Sequence, residues 1–552
     1  MKSFAGRAAA LAVSRVAHVP PPTTEFHVER GLRVPMRDGV ELVADHYVPD
    51  TENPAGTVVV RGPYGRRWPF SNLYGAVYAR RGYHVLLQSV RGTYGSGGAF
   101  NPTVHEAADG ADTIAWLREQ PWYTGSFATI GASYLGATQW ALLQDPPSDM
   151  AAAVIIVGLH DFSATTWGTG AFSVNDFLGW SYLVSHQEDP GRLRSLVRFA
   201  RSRRQVRRAA TAVPMGAGGR KLLGQGAAWW EDWTEHDDVE DQFWDPYRFV
   251  RALEHSEVPV LLIGGWQDVF LEQTVDQYTR LRRRGVDVAM TIGPWTHSDV
   301  SGRAAPLALR ESLAWLAAHV AGQSAAPRCP VRVFTTGTPR PGDGWLDLPD
   351  WPPATADHTL YLEPGRLSAA AETGPATRSS FTFDPADPTP TVGGRLLSPN
   401  SGYRRDDALA ERGDVLSYTG EVLPADLYVY GAPTVELAHE SDNPYVDVFV
   451  RISEVDAKGR SRNVSDGYRR LVHEAGTQLI RLPLDDIAHR FRAGHRIRLL
   501  VAGGSHPRYA RNLGTGERPS AGHRMVPAGH VVHHGGASRL ILPVGDERPS
   551  GH

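Results

Sequence analysis

The sequence predicts an α/β fold followed by a separate all-β domain, and three observations support this prediction. The chain has 552 residues, more than one hydrophobic core normally serves, so two or three domains are expected. Short apolar runs alternate with helical patterns as far as Leu316. Beyond a small, proline-containing stretch at 321–330 the runs become short and alternating, and Gly, Pro and Asp turns divide them. A helix-covered sheet and a β-sandwich are the architectures that such patterns indicate.

The predicted strands of the α/β part are short runs rich in β-branched residues. An opening hairpin is predicted at 34–48, around a turn at 37–39. The later runs are apolar on both faces, which is typical of strands in a covered parallel sheet, and they occupy residues 57–60, 84–87, 127–130, 153–157, 260–263 and 288–292. Helical patterns at 106–119 and 135–143 lie between them. Strand and helix therefore alternate, as in a parallel α/β sheet.

The alternation is interrupted between residues 160 and 249, which divides the chain into predicted domains. In this stretch no strand pattern is evident, and Trp, Phe and Arg recur at helix-compatible spacing. We interpret residues 160–249 as a helical cap inserted over the sheet. The sheet domain then consists of two parts, 26–159 and 250–320, and residues 330–546 are predicted to form an all-β sandwich.

The balance of charges limits the partners that the protein is expected to bind. The chain has 57 Lys and Arg and 60 Asp and Glu, a formal charge of -3, which gives little electrostatic reason to expect nucleic acid or an anionic membrane as partner. No apolar run approaches the ~20 residues that a membrane-spanning helix needs. We therefore expect a small-molecule substrate, no nucleic acid and no membrane partner. The sequence leaves open whether the chain forms a homodimer.

The cysteine content and the first residues bear on cofactors and location. Cys329 is the only cysteine, which excludes an intrachain disulfide and a structural zinc site built from thiolates. The histidine pair at 533–534 has no further ligands nearby in the sequence, so we expect no metal and no other cofactor. An apolar patch at 8–13 is followed too soon by Arg15 for a secretory signal. We favour a cytoplasmic location, with secretion as the alternative.

A serine in a strand-turn-helix context is the first candidate catalytic residue. Residues 131–136 (GASYLG) contain Ser133, although the second glycine lies one place later than in Gly-x-Ser-x-Gly. An apolar strand pattern precedes Ser133 and a helical pattern follows it, which is the setting of a nucleophile elbow. Because a serine hydroxyl is a poor nucleophile until a base takes its proton, a histidine is required.

A histidine and a carboxylate after later strands complete the predicted catalytic triad. His297 ends the segment 293–297 (GPWTH), directly after the last apolar strand of the sheet, where loops meet at its carboxyl edge. The acid of an α/β hydrolase lies between serine and histidine in the chain, and Asp268 does so at the end of the penultimate strand. Asp287 and Asp299 are the alternatives. We expect both to be surface or loop-capping residues.

Two donors are predicted for the oxyanion of a tetrahedral intermediate. The first is the backbone N–H of Tyr134, the residue after Ser133. The second is expected from the loop after the third strand, residues 61–65 (RGPYG), which contain Tyr64. On residue order alone, a packing role for Tyr64 is an equally good interpretation.

Together these segments resemble the cocaine esterase and X-prolyl dipeptidyl peptidase-like (CocE/NonD) hydrolases. The resemblance rests on RGPYG at Tyr64, GASYLG at Ser133, WQD at Asp268 and GPWTH at His297, and it extends to SHPRY at 505–509. It implies an α/β-hydrolase domain, a helical cap and a C-terminal jelly roll, in agreement with the pattern of segments. It also implies that the Tyr64 hydroxyl is an oxyanion donor.

The resemblance further implies an apolar or aromatic acyl pocket. Phe270 matches an aromatic residue that lines the acyl pocket of cocaine esterase-like enzymes, and Trp167, Phe172 and Trp180 of the cap are further candidates for substrate binding. The stretch 268–271 lacks the carboxylates with which α-amino acid ester hydrolases hold a substrate ammonium. We therefore do not expect a preference for amino esters or dipeptides.

One departure from the family concerns the segment after the fourth strand. The family commonly has an aspartate just before the Arg-Gly of this segment, whereas this chain has Ser89-Val90-Arg91-Gly92. We therefore expect that a buried ion pair is missing here, which affects structural support and not the chemistry.

The predicted function is hydrolysis of a carboxylic ester or amide through an acyl-enzyme. Ser133 attacks the carbonyl carbon, His297 transfers the proton and Asp268 orients His297. Three alternatives remain open: an acyltransferase with the same triad, an X-prolyl dipeptidyl or acylase-type amide hydrolase, and a binding protein on an inactive hydrolase scaffold. The intact triad argues against the last of these.

Overall fold

The structure is a computed structural model that describes residues 19–189, 192–324, 328–338, 344–371, 377–547 and 549. The apolar patch at 8–13 lies outside these residues. No helix in the described part of the chain combines the length and apolarity that a bilayer crossing requires.

The first part of the chain forms a ten-stranded mixed sheet. Its strands are Phe26–Pro35 (β1), Glu41–Pro49 (β2), Gly56–Gly62 (β3), Tyr83–Ser89 (β4), Phe127–Ala132 (β5), Met150–Ile156 (β6), Val260–Gln267 (β7), Val288–Thr296 (β8), Val331–Phe334 (β9) and Trp345–Leu348 (β10). Their order in the sheet is β1-β2-β4-β3-β5-β6-β7-β8-β9-β10. The strands from β4 to β9 in this order run parallel, and antiparallel strands flank them on both sides. The predicted hairpin corresponds to β1 and β2, and the six predicted apolar runs coincide with β3 to β8.

The sheet continues beyond the domain boundary that the sequence predicted at residue 330. Strand β9 pairs in parallel with β8, from Met290 opposite Val331 to Ile292 opposite Val333, and β10 then pairs with β9. Both strands therefore belong to the α/β sheet and not to the sandwich. The first two strands of the segment predicted to form the last domain thus extend the sheet of the first.

Helices cover the sheet and build the cap. They are Val77–Ala79 (α1), Glu106–Arg118 (α2), Tyr134–Leu143 (α3), Phe162–Trp167 (α4), Val174–His186 (α5), Arg192–Ala210 (α6), Met215–Leu223 (α7), Trp229–Glu235 (α8), Val250–His255 (α9), Leu271–Arg283 (α10) and Ala305–His319 (α11). The helices α4 to α8 lie between β6 and β7, within the predicted cap. Alternate residues of β3 face opposite cores, with Val59 on one side of the sheet and Val58 and Val60 on the other. The core on the Val59 side continues into the cap.

The last part of the chain is an all-β domain with one short helix, Asp407–Ala410 (α12). Its strands are Ala356–Glu363 (β11), Arg366–Ser368 (β12), Arg378–Phe383 (β13), Val415–Thr419 (β14), Leu427–Gly431 (β15), Thr434–Ser441 (β16), Tyr445–Val455 (β17), Ser461–Val472 (β18), Gln478–Pro483 (β19), Ile487–Phe491 (β20), Arg496–Ala502 (β21), Ala528–His533 (β22) and Arg539–Gly545 (β23). Almost all pairings are antiparallel, and neighbours distant in the chain such as β11 and β23 pair directly. The strands enclose an apolar core of their own.

Candidate active site

Ser133 lies at a sharp turn between β5 and α3. Its φ of 60° and ψ of -123° place a non-glycine residue in the left-handed region, a strained conformation that strand-to-helix nucleophile turns share. The small neighbours make the turn possible, because a Cβ atom at Gly131 would lie 2.3 Å from Leu135 Cβ, and one at Gly136 would lie 2.7 Å from Gly158 Cα. The turn therefore holds the Ser133 side chain at the end of the strand.

His297 and Asp268 lie beside Ser133, at the ends of β8 and β7. The distance from Ser133 Oγ to His297 Nε2 is 2.9 Å, and that from His297 Nδ1 to Asp268 Oδ1 is 2.6 Å. Asp268 is fully buried, and its Oδ2 accepts a hydrogen bond from the Phe270 N–H at 3.1 Å. With Nδ1–H donating to Asp268, the neutral imidazole presents Nε2 as an acceptor to the serine hydroxyl. The structure thus brings the three predicted catalytic residues together in the required order.

The two alternative acids have other contacts. Asp299 Oδ2 accepts hydrogen bonds from the N–H and Oγ1 of Thr296, both at 2.9 Å, and so caps the turn that carries His297. Asp287 lies 3.6 Å from His319 with a largely exposed side chain. These positions agree with the capping and surface roles expected from the sequence.

The two predicted oxyanion donors also lie at this site. Tyr134 is the first residue of α3, and its N–H belongs to the first turn, where backbone donors have no partner within the helix. The hydroxyl of Tyr64, after β3, accepts a hydrogen bond from Trp180 Nε1 at 3.1 Å. Burial raises the pKa of the Tyr64 hydroxyl, and hydrogen bonding with Trp180 and Ser133 opposes that rise. The hydroxyl is therefore protonated and able to donate a hydrogen bond.

A buried polar cluster fixes the Tyr134 side chain beneath the turn. Its hydroxyl donates to Glu106 Oε1 at 2.9 Å and accepts from the Thr103 N–H at 2.7 Å. Arg61 Nη2 lies 3.2 Å from Glu106 Oε2. Burial raises the pKa of Glu106, and the charge of Arg61 and the hydrogen bond from Tyr134 oppose this. The start of α3 is thus anchored to the loop after β4 and to the first residue of α2, which contacts Arg61 of β3.

The four aromatic candidates for the acyl pocket fall into two groups. The ring of Phe270 meets that of His297 edge-on, with 5.2 Å between centroids, and Trp180 contacts Tyr64 as described. Phe172, in contrast, has no exposed surface, and Trp167 has 2%. They pack against each other, and Trp167 Nε1 donates to the Trp233 carbonyl. These two side chains therefore lie in the interior of the cap, and their assignment to substrate binding stays a prediction.

The ion pair expected to be missing near Arg91 is present with other partners. Arg91 Nη2 lies 2.6 Å from Asp109 Oδ1, and Nη1 lies 2.7 Å from Asp38 Oδ2. These contacts raise the pKa of Arg91. A carboxylate from α2 and one from the opening hairpin therefore pair with Arg91, although the aspartate that the family has before the Arg-Gly is missing.

Two charged residues near the triad had no signal in the sequence, because their contacts cross domains. Asp176 of the cap accepts hydrogen bonds from Asn175 Nδ2 at 2.6 Å and the Leu397 N–H at 2.9 Å. Arg395, from the all-β domain, donates to the carbonyl of Val269 at 3.4 Å. Both residues line a pocket between the sheet domain, the cap and the all-β domain. Among the described residues, no group of three or more His, Cys, Asp or Glu side chains is arranged to hold a metal ion.

Comparison with known proteins gives consistent matches over the chain. Residues 38–299 match the family described as X-Pro dipeptidyl-peptidase (S15 family), and residues 323–541 match the X-Pro dipeptidyl-peptidase C-terminal non-catalytic domain. Cocaine esterase of Rhodococcus sp. (strain MB1 Bresler) is 30% identical over 577 residues, which cover 94% of this chain and 99% of that protein.

Two solved structures share the fold. An aminopeptidase from the marine sediment archaeon Thaumarchaeota archaeon superimposes with a TM-score of 0.80 at 22% identity, and an α-amino acid ester hydrolase superimposes with a TM-score of 0.78 at 22% identity. Each comparison covers 96% of this chain and 98% of the other. The predicted architecture of an α/β-hydrolase domain with a cap and a C-terminal β domain is confirmed.

Proposed function

Because the chain belongs to the cocaine esterase and X-Pro dipeptidyl-peptidase-like (S15) family of serine hydrolases, we propose that it cleaves neutral carboxylic esters with Ser133, His297 and Asp268. The observation that carries this proposal is the unbroken contact from Ser133 Oγ through His297 to the buried Asp268, at 2.9 and 2.6 Å. Nucleophile, base and acid are then all within hydrogen-bonding distance, as acyl transfer through serine requires.

In the acylation step, Ser133 Oγ attacks the carbonyl carbon while His297 Nε2 takes its proton. Asp268 accepts the Nδ1–H hydrogen bond and stabilises the imidazolium that forms. The carbonyl oxygen becomes negative and accepts hydrogen bonds from the Tyr134 N–H and the Tyr64 O–H. The intermediate collapses when the leaving alcohol takes the proton from Nε2. Water then attacks the acyl-enzyme by the same route and releases the acid.

The surroundings of the triad support an apolar or aromatic acyl group. The Phe270 ring lies against His297, at 5.2 Å between centroids, and apolar walls with few polar groups are usual for such pockets. The first carboxylate after Asp268 is Glu272, which bonds Arg395 at 2.8 Å. Asp176 is buried and bonded to the amide groups described above. Each carboxylate already has a partner within the protein, so we propose neutral esters over amino esters.

A turnover panel tests this proposal. Neutral aryl esters, amino-acid esters, β-lactam side-chain amides and Xaa-Pro amides are compared by kcat/KM, with Ser133→Ala as the inactive control. We expect the neutral esters to give the highest kcat/KM and Ser133→Ala to abolish their turnover. A clear preference for Xaa-Pro amides would instead favour the dipeptidyl-peptidase activity that the family description names.

Acyl transfer to an alcohol or amine proceeds through the same acyl-enzyme. Analysis of the products distinguishes it from hydrolysis. We expect water to be the main acceptor when alcohols are added at low concentration. Transfer that exceeds hydrolysis under those conditions would assign the chain to the acyltransferases.

The remaining proposals concern partners and location. The formal charge of -3 supports a small-molecule ester or amide substrate over nucleic acid or a membrane surface. The single cysteine, Cys329, leaves no intrachain disulfide and supports a cytoplasmic location. Light scattering of the purified chain decides whether it is a homodimer, and fractionation of the source cells decides its location.

A further inference from the structure

Trp180, on the cap helix α5, touches both residues that supply the proposed oxyanion donors. Its Nε1 donates a hydrogen bond to the Tyr64 hydroxyl at 3.1 Å. Its ring lies nearly parallel to that of Tyr134, with 6.0 Å between centroids and 9° between planes. The rings of Trp229 and Trp233 pack against it, both at 6.1 Å. These contacts restrict the Trp180 side chain to one orientation.

The bond between Trp180 and Tyr64 fixes the direction of the Tyr64 proton. An indole nitrogen can only donate, whereas a phenol has one O–H and two acceptor lone pairs. Trp180 therefore occupies a lone pair of Tyr64 and leaves the Tyr64 O–H to point elsewhere. Ser133 is the other side chain that acts on the pKa of this hydroxyl. Trp180 therefore donates to Tyr64, and the Tyr64 O–H remains available for the carbonyl oxygen of an ester that Ser133 attacks.

In such a series of hydrogen bonds the last donor, here the Tyr64 hydroxyl, also becomes stronger. A hydroxyl that accepts a hydrogen bond becomes a better donor, because the bonds in a chain polarise one another. When the substrate oxygen becomes negative beside Ser133, it accepts a hydrogen bond from Tyr64, whose O–H is already polarised by Trp180. This effect is larger for the charged transition state than for the neutral ester.

A second contact from the same helix holds the loop that carries Tyr64. Gln187, at the end of α5, donates from Nε2 to the carbonyl of Pro63 at 2.8 Å. Residues 180 and 187 are seven positions apart, which is about two helical turns, so both side chains face the same side of the helix. The cap helix therefore fixes both the backbone and the hydroxyl of the oxyanion loop.

On the basis of the proposed function, we propose that Trp180 is a positioning residue that acts through Tyr64, so that docking of the cap helix α5 completes the oxyanion hole. This role differs from the lining of an acyl pocket that its sequence position suggested. A lining residue changes which substrates bind, whereas this positioning residue changes how fast a bound ester reacts.

A double-mutant cycle tests the proposal. Trp180→Phe removes the N–H donor and keeps a ring in place. On a neutral aryl ester we expect kcat to fall about tenfold, the loss of one hydrogen bond to a charge-stabilising group, with KM changed less than about twofold. In a Tyr64→Phe background, where no hydroxyl remains to be positioned, Trp180→Phe should lower kcat less than about twofold.

The matched control is Trp229→Phe. Trp229 belongs to the same ring cluster, but its Nε1 donates to Ser181 Oγ at 3.0 Å and not to the oxyanion loop. We expect it to leave kcat within about twofold of the wild type in both backgrounds. An equal loss of kcat for Trp229→Phe and Trp180→Phe would mean that general packing of the cap is responsible, and would overturn the proposal.

Affinity for an arylboronic acid gives a second readout. Its tetrahedral adduct with serine carries a negative oxygen at the oxyanion position, whereas the carboxylic acid product does not form that adduct. We expect Trp180→Phe to weaken boronate binding by about the same tenfold as kcat and to leave product inhibition unchanged. Equal weakening of both ligands would contradict a role limited to the oxyanion.

The remaining outcomes separate this proposal from the proposed function. If Ser133→Ala retains esterase turnover, the proposed function fails. If Ser133→Ala is inactive while Trp180→Phe lowers kcat equally with and without the Tyr64 hydroxyl, only the positioning role fails. Should Trp180→Phe not fold, Gln187→Met tests the same idea, because the loss of its bond to Pro63 should also lower kcat only while the Tyr64 hydroxyl is present.

Discussion

The Tyr64 hydroxyl is a partly buried group that accepts a hydrogen bond from Trp180 Nε1. We predict that Tyr64→Phe lowers kcat roughly 10²–10³-fold on a neutral aryl ester with little change in KM, because an oxyanion donor acts mainly in the transition state. Tyr78→Phe is the control, since that tyrosine is buried in the core on the side of the sheet away from the cap. Unchanged kcat for Tyr64→Phe would return this residue to a packing role.

Asp268 supports the histidine without contacting substrate. It is fully buried and accepts hydrogen bonds from His297 Nδ1 and the Phe270 N–H. We predict that Asp268→Asn lowers kcat by about 10⁴, because an amide favours the wrong imidazole tautomer. Asp299→Asn, at the neighbouring turn, should cost far less. Steady-state kinetics of both variants distinguish the two carboxylates, and a larger loss for Asp299→Asn would reassign the acid.

Sequence order predicted which catalytic residues meet at the site, but it did not predict how deeply the aromatic residues of the cap are buried. Ser133, Asp268 and His297 follow strands that end at one edge of a parallel sheet, so their meeting follows from topology. Trp167 and Phe172 share the helix-compatible spacing of Trp180, yet they lie in the cap interior. Periodicity indicates a buried face of a helix and does not distinguish core from pocket.

The loop after β7 is held in place by a residue of the all-β domain. Arg395 of the all-β domain bonds the Val269 carbonyl, and its Nη2 lies 2.5 Å from Asp485 and 2.8 Å from Glu272. The side chains of Arg395 and Asp485 are both nearly fully buried. The residue that follows the triad acid is therefore bonded to the C-terminal domain.

We predict that Arg395→Ala destabilises the protein by about 3–5 kcal/mol, because it leaves the buried Asp485 without its partner. The measurement is the urea midpoint of tryptophan fluorescence. The control is Arg405→Ala, whose partner Asp407 lies 2.9 Å away at the surface, and which should cost less than about 1 kcal/mol. Similar midpoints for the two variants would contradict a structural role of the buried pair.

The burial of the strands explains which of them could be assigned from the sequence. The apolar runs of β3 to β8 are buried on both faces, so their type was readable from composition. Strands β9 and β10 have four residues each and only alternating or partial burial. Such strands look like those of the sandwich in sequence, and only their pairing with β8 assigns them to the α/β sheet.

Across the whole molecule, buried histidines make stability depend on pH. Burial lowers the pKa of His439 and of His530 to about 3, and their rings are bonded through Nε2 and Nδ1 at 3.0 Å. The unfolded chain, with histidine pKa values of about 6.5, takes up protons that the folded chain does not. The free energy of unfolding is therefore greatest above pH 6.5 and decreases as the pH falls toward 3.

We predict a loss of about 1.4 kcal/mol per pH unit for each of these two histidines below pH 6.5. Urea unfolding at pH 7 and at pH 5.5 measures it. His530→Gln should reduce this slope, whereas His255→Gln, at an exposed position of α9, should not. A slope that is the same for wild type and His530→Gln would show that other groups cause the acid sensitivity.

The arrangement of the three domains was the least predictable feature. The fold class and the presence of a cap followed from alternation and its interruption, and both are confirmed. The contacts of Asp176 with Leu397 and of Arg395 with Val269 join segments more than a hundred residues apart. Nothing local in the sequence specifies such contacts, because they depend on the way finished domains pack.

Covalent labelling shows whether Ser133 is an activated nucleophile. A fluorophosphonate reacts with a serine only when a base activates its hydroxyl, so the folded protein is labelled, digested and mapped by mass spectrometry. We predict one modified peptide, containing Ser133, with loss of esterase turnover in proportion to labelling and no label in Ser133→Ala or in unfolded protein. Absence of the label in folded protein that a control hydrolase acquires, or a label on another residue with turnover intact, would contradict the account.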